Sequence, residues 1–440
     1  MKTRQRHAAQ PVTPAGLRPV QLAWLAAAVF VVSAGYGALM PVLPGWLTLM
    51  VPDTSAADLA RHVGYLGGIY AAGVLVGAPL WGLASDRVGQ GPILIIGLLG
   101  YVVSLLALLV PMWVGLWPIY ALRGATGFFV AAVIPVVSAL VAGHTQETQR
   151  ARRFAWLSAV SLLGFLFGPG LVAVADWLVR LAGREAASAL VSMQAVIVLS
   201  ALLGALIMLG LAMTLPRPGG VAAASNHTAP SHESCMTALY GLNATVMFVL
   251  AGFELGILLQ GQLHSGVSTR KVSLMFAECS LVMLGVNALL FFTALLEKAP
   301  PRKLIGTGLI LAMFGLAVLT QHRTDAWMYA GISLAAAGIG LVLPVIAYLA
   351  AGAAPHRLGA AMGGLAAAAG IGQTLGSSVG GWLFSAIEQR SFGWLAAPLM
   401  AVLVLLLLRP RWWARVADKT RTSSQNALPH TRHAADNLSD

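Results

Sequence analysis

The chain has 440 residues, of which 58% are hydrophobic and only 10% charged. Soluble domains carry about a quarter charged residues, so this composition excludes an ordinary water-soluble fold and points to the membrane. The formal net charge of +12 sits in the links between long apolar runs, which excludes a nucleic-acid footprint and makes it a topology signal.

The chain opens with a basic, Pro-containing leader over 1–21 that lacks the short apolar core and small-residue cleavage site of a signal peptide. A bilayer crossing needs about 17–25 apolar residues. Twelve such runs follow, near 22–48, 63–84, 93–112, 115–142, 153–178, 188–213, 237–262, 271–296, 303–320, 326–352, 358–386 and 392–409. The fold class expected is therefore an all-α membrane protein with twelve transmembrane helices in two pseudo-symmetric six-helix halves. The polar, Pro/Gly/Ser-rich stretch 215–236 reads as a flexible linker between the halves 22–214 and 237–409, and 410–440 as a C-terminal tail. Nineteen Lys and Arg residues lie on the side that holds both ends and seven on the other, with Arg123 alone inside a run. The positive-inside rule then puts both termini in the cytoplasm of a cell whose inner membrane holds the protein. Cys235 and Cys279 are expected to be small apolar fillers, and no metal-ligand cluster accompanies them.

The fifth run of each half is rich in glycine: Gly164, Gly168 and Gly170 beside Pro169 in one, Gly363 to Gly381 in the other. Glycine lets helices approach closely, and its repetition at matching places supports the internal symmetry. Gly370-Ile371-Gly372 superficially matches a dinucleotide loop, but no strand precedes it.

Charges near hydrocarbon are costly and persist where they cap, pair or work. Between the second and third runs sits a polar turn, Gly82 to Gly89, carrying Asp86 and Arg87. Well inside the runs lie Arg123, Glu254 and Glu278. Proton coupling needs a group that gains and loses a proton within the membrane, and loss of water favours the neutral form of a carboxyl. Glu254 is the first candidate for that carrier and Glu278 the second. Arg123 keeps its charge, so it can hold a carboxylate, a backbone carbonyl or an anionic substrate but not titrate. Tyr36, Phe128, Phe165, Phe248 and Phe253 are candidates for an apolar pocket wall, with Gln260 and Gln373 as polar companions. Asn243, Asn287 and Gln373 are expected to make interhelical hydrogen bonds.

Gly82, Asp86, Arg87 and Gly89 resemble the G-x-L-A-D-R-x-G-R-K loop between helices two and three of the major facilitator superfamily, with Gln90 and Gly91 replacing the usual basic pair. Arg123-Gly124-Ala125-Thr126-Gly127 is similar to that family's R-x-x-Q-G element, and Gly164, Gly168 and Pro169 to the G-x-x-x-G-P element of its proton-driven antiporters. Val172 and Ala173 stand where that element closes on paired glycines. Pro41-Val42-Leu43-Pro44 resembles the P-x-x-P of drug-efflux members; the first half also looks like the tetracycline exporters, without their acidic residue in the first span. The resemblance implies a cytoplasmic gate at Gly82–Gly89, a part for Arg123 in proton coupling, and alternating access. The expected activity is export of an amphipathic small molecule or drug in exchange for protons. Export of one endogenous product such as a siderophore or metallophore is the alternative, and uptake a third. The expected partners are a small-molecule substrate, protons and the lipid bilayer. No nucleic acid, metal or cofactor is expected, the proton gradient being the driving force. No enzymatic nucleophile is in evidence, and a single chain is expected to be the working unit.

Overall fold

A computed structural model describes residues 17–51, 55–110, 116–145, 147–181, 189–215, 233–263, 269–293, 295, 299–321, 324–353 and 358–408. Most of the expected tails (1–21 and 410–440) and linker (215–236) lie outside the described residues, as do the side chains of Asp86, Cys235 and Gln262.

The described residues form thirteen α-helices and no strand. Hydrocarbon offers no partner for backbone N–H and C=O groups, so apolar chain crossing it must satisfy them internally as helix. The first half contains α1 (Pro19–Met50), α2 (Ala56–Val88), α3 (Gln90–Ala107), α4 (Leu116–Val130), α5 (Ile134–Gly143), α6 (Glu147–Leu181) and α7 (Ala189–Thr214). The second contains α8 (Glu233–Leu263), α9 (Thr269–Phe292), α10 (Pro301–Leu319), α11 (Asp325–Ala353), α12 (Leu358–Ile387) and α13 (Ser391–Leu408).

Eleven apolar helical stretches are long enough to cross a membrane, but the last, Ala361–Leu408, runs for 48 residues. About 20 residues suffice for one crossing, and a 3₁₀ turn at Glu388–Arg390 divides this stretch into α12 and α13. Conversely, α4 and α5 share the single stretch Leu116–Val141, so the fourth crossing is interrupted by a turn at 131–133 rather than continuous. Twelve crossings result. The polar segment between the second and third crossings is also tighter than expected. Helix α2 continues through Arg87 to Val88, and only Gly89, at φ 100° and ψ 151°, breaks it before α3 begins. That backbone region is open essentially to glycine alone.

With an even number of crossings, α1 begins and α13 ends on one face, termed the near face; α2 begins at the opposite, far face. The helix pairing repeats between halves. Helix α1 packs on α6 and α7 as α8 packs on α12 and α13; α2 meets α4 as α9 meets α11; α3 meets α7 as α10 meets α13. One apolar core centres on Trp46, Leu94 and Val133 of the first half and reaches Leu255, Leu258 and Phe384 across the junction; the other centres on Ile305, Ile339 and Val345 of the second.

The glycine-rich fifth crossings make these pairings close. A Cβ on Gly164 would stand 2.6 Å from the Phe30 carbonyl oxygen, and one on Gly168 2.6 Å from the Gly37 carbonyl carbon. In the second half Gly372 and Gly376 lie against the backbone of Ala244 and Phe248, and a Cβ on Gly380 would meet Gly252 Cα at 2.9 Å. Gly170 and Gly363 face open space, so packing does not account for those two.

The halves meet through α2 with α12 and α6 with α9. The α2–α12 contact runs from the far-face ends of both helices to their middle, where Gly370 lies on Leu75. Nearer the far face, Gly64 lies on Ser377 and Gly381, Gly68 on Ser378, and Gly381 on Ala60. At the far-face end, Arg61 Nε donates to Ser385 Oγ at 3.1 Å and its Nη1 pairs with Asp58 at 3.1 Å. Towards the near face, Gly82 has nothing within 4 Å of its missing side chain.

Candidate substrate and proton-coupling site

Between the halves lies a narrow cavity of about 10 Å³, lined by Tyr36 and Met40 of α1, Gly67 of α2, Ala251, Glu254, Leu255 and Leu258 of α8, Phe276 of α9 and Ser377 of α12. Ala251, Glu254, Leu255 and Leu258 recur at helical spacing, so one stripe of α8 faces the space. Drug-sized ligands fill pockets of about 300–1,000 Å³; with α2 and α12 closed at the far face, the space has room for little more than one water molecule, so the halves must part to admit a cargo. Its wall is apolar except for Glu254, Ser377 and the hydroxyl of Tyr36.

Behind Tyr36 an aromatic cluster leads to Arg123. The Tyr36 ring meets Tyr70 at 5.0 Å and Phe165 edge-on at 5.6 Å. The Arg123 guanidinium carbon stands 4.8 Å from the centre of the Tyr70 ring, a cation–π contact. Arg123 is 2% exposed, and its Nε and Nη2 have no hydrogen-bond partner. Tyr36 lies within electrostatic reach of both Glu254 and Arg123.

The structure thus brings Tyr36, Glu254, Phe165 and Arg123 into one region, and separates others proposed from sequence. Glu278 does not line the cavity: its Oε1 accepts a 2.5 Å hydrogen bond from Ser333 Oγ of α11, and its Oε2 is buried without a partner. Glu254 and Glu278 nevertheless both lie within electrostatic reach of the buried Cys279 thiol. Phe253, fully buried, belongs to the core of the second half, because it falls off the α8 stripe that carries Glu254. The Phe128 ring packs at a tilt of 52° against Trp81, centroids 5.2 Å apart, and its carbonyl accepts from Trp81 Nε1 at 2.8 Å. Phe248 packs under Gly372 and Gly376. Gln260 is 1% exposed with its Oε1 unpartnered, and neither it nor Gln373 lines the cavity. Asn243 bonds across to the Leu365 carbonyl at 2.8 Å, whereas Asn287 bonds back to Met283 of its own helix. Asp176, at the far end of α6, accepts from Ser192 at 2.7 Å.

Sequence reasoning missed Met40, Gly67, Phe276 and Ser377 in the cavity, and Tyr70 and Tyr101 around Arg123. The Gly67-Gly68 pair in an apolar helix carries a usable signal, since adjacent glycines mark a close approach. The tyrosines come from α2 and α3, and nothing local ties them to an arginine on α4.

Twelve crossings arranged as two repeated halves around a central cavity are the architecture of a secondary transporter, not an enzyme. The chain belongs to the Major Facilitator Superfamily, whose sequence model matches residues 25–286 and 236–434. It is 27% identical over 402 residues to the tetracycline resistance protein, class D, of Salmonella ordonez, covering 86% of this chain and 94% of that one. The Escherichia coli class B protein is 38% identical over 138 residues, 31% of this chain and 32% of that protein. Multidrug resistance protein 2 of Bacillus subtilis is 31% identical over 142 residues, 32% of this chain and 34% of that protein. The chain thus spans about a third of the length of several relatives it matches and nearly all of the class D protein. Among solved structures, the human organic anion transporter MFSD10 superposes with a TM-score of 0.67 at 16% identity, covering 88% of this chain and all of that one. The Escherichia coli xylose transporter XylE, in a partially occluded inward-open conformation, gives 0.66 at 13% identity, covering 88% and 97%. At such identities these two likenesses concern the fold alone.

Proposed function

We propose that the protein is a proton-coupled exporter of amphipathic small molecules, working by alternating access with both termini in the cytoplasm of a bacterial inner membrane. The observation that carries this reading is the position of Glu254, the one carboxyl among the described residues that line the cavity where the two halves meet. A carboxyl there is exposed in turn to each side as the halves rock, which is what a proton carrier requires. An apolar cavity wall with few polar groups suits an amphipathic cargo. The similarity to proteins named for tetracycline and multidrug resistance favours export over uptake. Glu278, bonded to Ser333 and off the cavity, supports the second half from behind, and Arg123 joins the Tyr36 cluster through the Tyr70 ring. In this reading the segment Gly82–Gly89 acts as the near-face gate and no cofactor takes part.

The test is Glu254→Gln in proteoliposomes. Transport driven by an imposed pH gradient is expected to disappear, while downhill exchange of the same cargo persists and the purified protein stays monodisperse. Undiminished gradient-driven export by Glu254→Gln overturns the assignment.

A further inference from the structure

The cavity accounts for Glu254 but leaves Arg123 without a counter-charge. Among the described residues no carboxylate lies within salt-bridge distance of it; in the first half, Asp58 is taken by Arg61 and Asp176 by Ser192. A buried guanidinium that its own chain leaves without an acceptor is expensive, so an anion beside it is favoured. The two vacant nitrogens are specific. Nε and Nη2 form one edge of the guanidinium, the edge that grips the two oxygens of a carboxylate side-on.

Two more vacant groups lie in the same region. Tyr101 Oη and Ser200 Oγ are buried without partners; Tyr101 Oη lies against α1 at Gly35, and the Ser200 Cβ stands near the same point. Tyr101 is within electrostatic reach of Arg123, and Tyr70 covers one face of the guanidinium. Donors therefore come from α3, α4 and α7, with no acceptor of negative charge among them. On the cavity side stands Tyr36, whose ring contacts Tyr70.

We propose that Arg123, with Tyr101 and Ser200, forms an anion subsite behind Tyr36 that receives a carboxylate borne by the transported molecule. The side-on fork takes the two oxygens, the Tyr70 ring covers the guanidinium, and the apolar part of the cargo occupies the wall formed by Met40, Leu255, Leu258 and Phe276. Displacement of the Tyr36 ring admits the group. This assigns the cargo a chemical class, organic monoanions with an apolar body, and rests on the reading of the cavity as the transport site. The same chemistry has a second source, the carboxylate of Glu254 itself brought across in another conformation.

The experiment is thermal unfolding of the purified full chain in detergent with three probes of one skeleton: 4-phenylbutyrate, 4-phenylbutanamide and 4-phenylbutylamine. The carboxylate is expected to raise the melting temperature and the other two are not. In Arg123→Gln the apparent affinity for 4-phenylbutyrate is expected to fall about tenfold or more, as loss of a charge-assisted pair requires, with partial recovery in Arg123→Lys. Should Arg123→Gln fail to fold, Tyr101→Phe combined with Ser200→Ala is the substitute, and weakened carboxylate binding is again expected. Glu254→Gln separates the sources. Unchanged binding assigns the subsite to the cargo, whereas binding tightened about tenfold or more shows that Glu254 itself occupies Arg123 and overturns the proposal. Equal shifts from the amide, or a carboxylate shift indifferent to Arg123→Gln, also overturn it. Carboxylate binding without gradient-driven transport would instead count against proton coupling and leave this subsite standing.

Discussion

The sharpest perturbation of the transport cycle is one methyl group at Gly64. A Cβ there would lie 2.7 Å from the Ser377 carbonyl oxygen and 2.9 Å from Gly381 Cα. Carbon contacts are most favourable near 3.5–4.0 Å, so Gly64→Ala forces α2 and α12 apart by roughly half an ångström to one ångström. Overpacking of this kind costs about 1–3 kcal/mol. Because the contact joins the two halves, only the far-face-closed state suffers that cost. The balance between states therefore moves by roughly 5–150-fold towards opening of the far face. Gly168→Ala is the matched control. Its Cβ would meet the Gly37 carbonyl carbon at 2.6 Å and Ala38 N at 2.8 Å, an equal clash, but inside the first half. It should lower stability by about 1–3 kcal/mol in every state and leave their ratio alone. Spin labels at the exposed positions Ala56 and Ala386 report the far-face separation by pulsed electron resonance. A longer-distance population in Gly64→Ala and not in Gly168→Ala is expected. Identical distance distributions in Gly64→Ala and the parent, or the same shift in both variants, would refute the reasoning.

Three further outcomes follow from local geometry. Gly89→Ala places a side chain at φ 100° and should cost about 1–3 kcal/mol, read as a lower melting temperature with α2 and α3 less protected in hydrogen exchange. Ser333→Ala removes the hydroxyl that bonds Glu278, leaving both carboxyl oxygens without a protein partner; a loss of about 1–3 kcal/mol is expected, and unchanged melting would mean that the bond contributes nothing. Asp325→Asn breaks the 2.6 Å pair with Lys271, but both side chains are nearly half exposed, at 46% and 40%. The expected loss is below about 1 kcal/mol, within the scatter of most melting assays.

Which features the sequence discloses depends on the range over which each is encoded. Crossings are local: the hydrocarbon thickness imposes a length, and the apolar runs place most helix ends within a few residues. The exceptions are also local in cause. At the second link the polar residues Ser85, Asp86 and Arg87 suggested a turn, yet they are good helix-end residues, and only Gly89 has the backbone freedom to stop α2. Glu254 is legible because a charge in an apolar run stands out. Once it is chosen, helical spacing alone gives Ala251, Leu255 and Leu258 as its cavity neighbours and removes Phe253 and Gln260. Tyr36 was found from its type, but its contacts with Tyr70, Phe165 and Arg123 join α1, α2, α4 and α6. Such a cluster exists only after the halves have folded, and no window on the chain contains it.

The pairing of helices is symmetric between the halves, whereas their buried charge is not. Arg123 belongs to the first half, and Glu254 and Glu278 to the second. Each half taken alone carries charge that its own described residues do not neutralise. Within the proposed cycle this asymmetry has a mechanical consequence. A conformation of the cycle that brings Arg123 and Glu254 together is favoured by their attraction at the low effective dielectric of a buried site. Protonation of Glu254 removes the attraction and so removes the bias on the rocking. A carboxylate cargo on Arg123 does the same from the other side, by neutralising the arginine. Proton and anionic cargo would then each release the same electrostatic restraint, which links their movements without any direct contact between them. An exchange that is insensitive to neutralising Arg123 while still driven by protons would break this link and leave Glu254 acting alone.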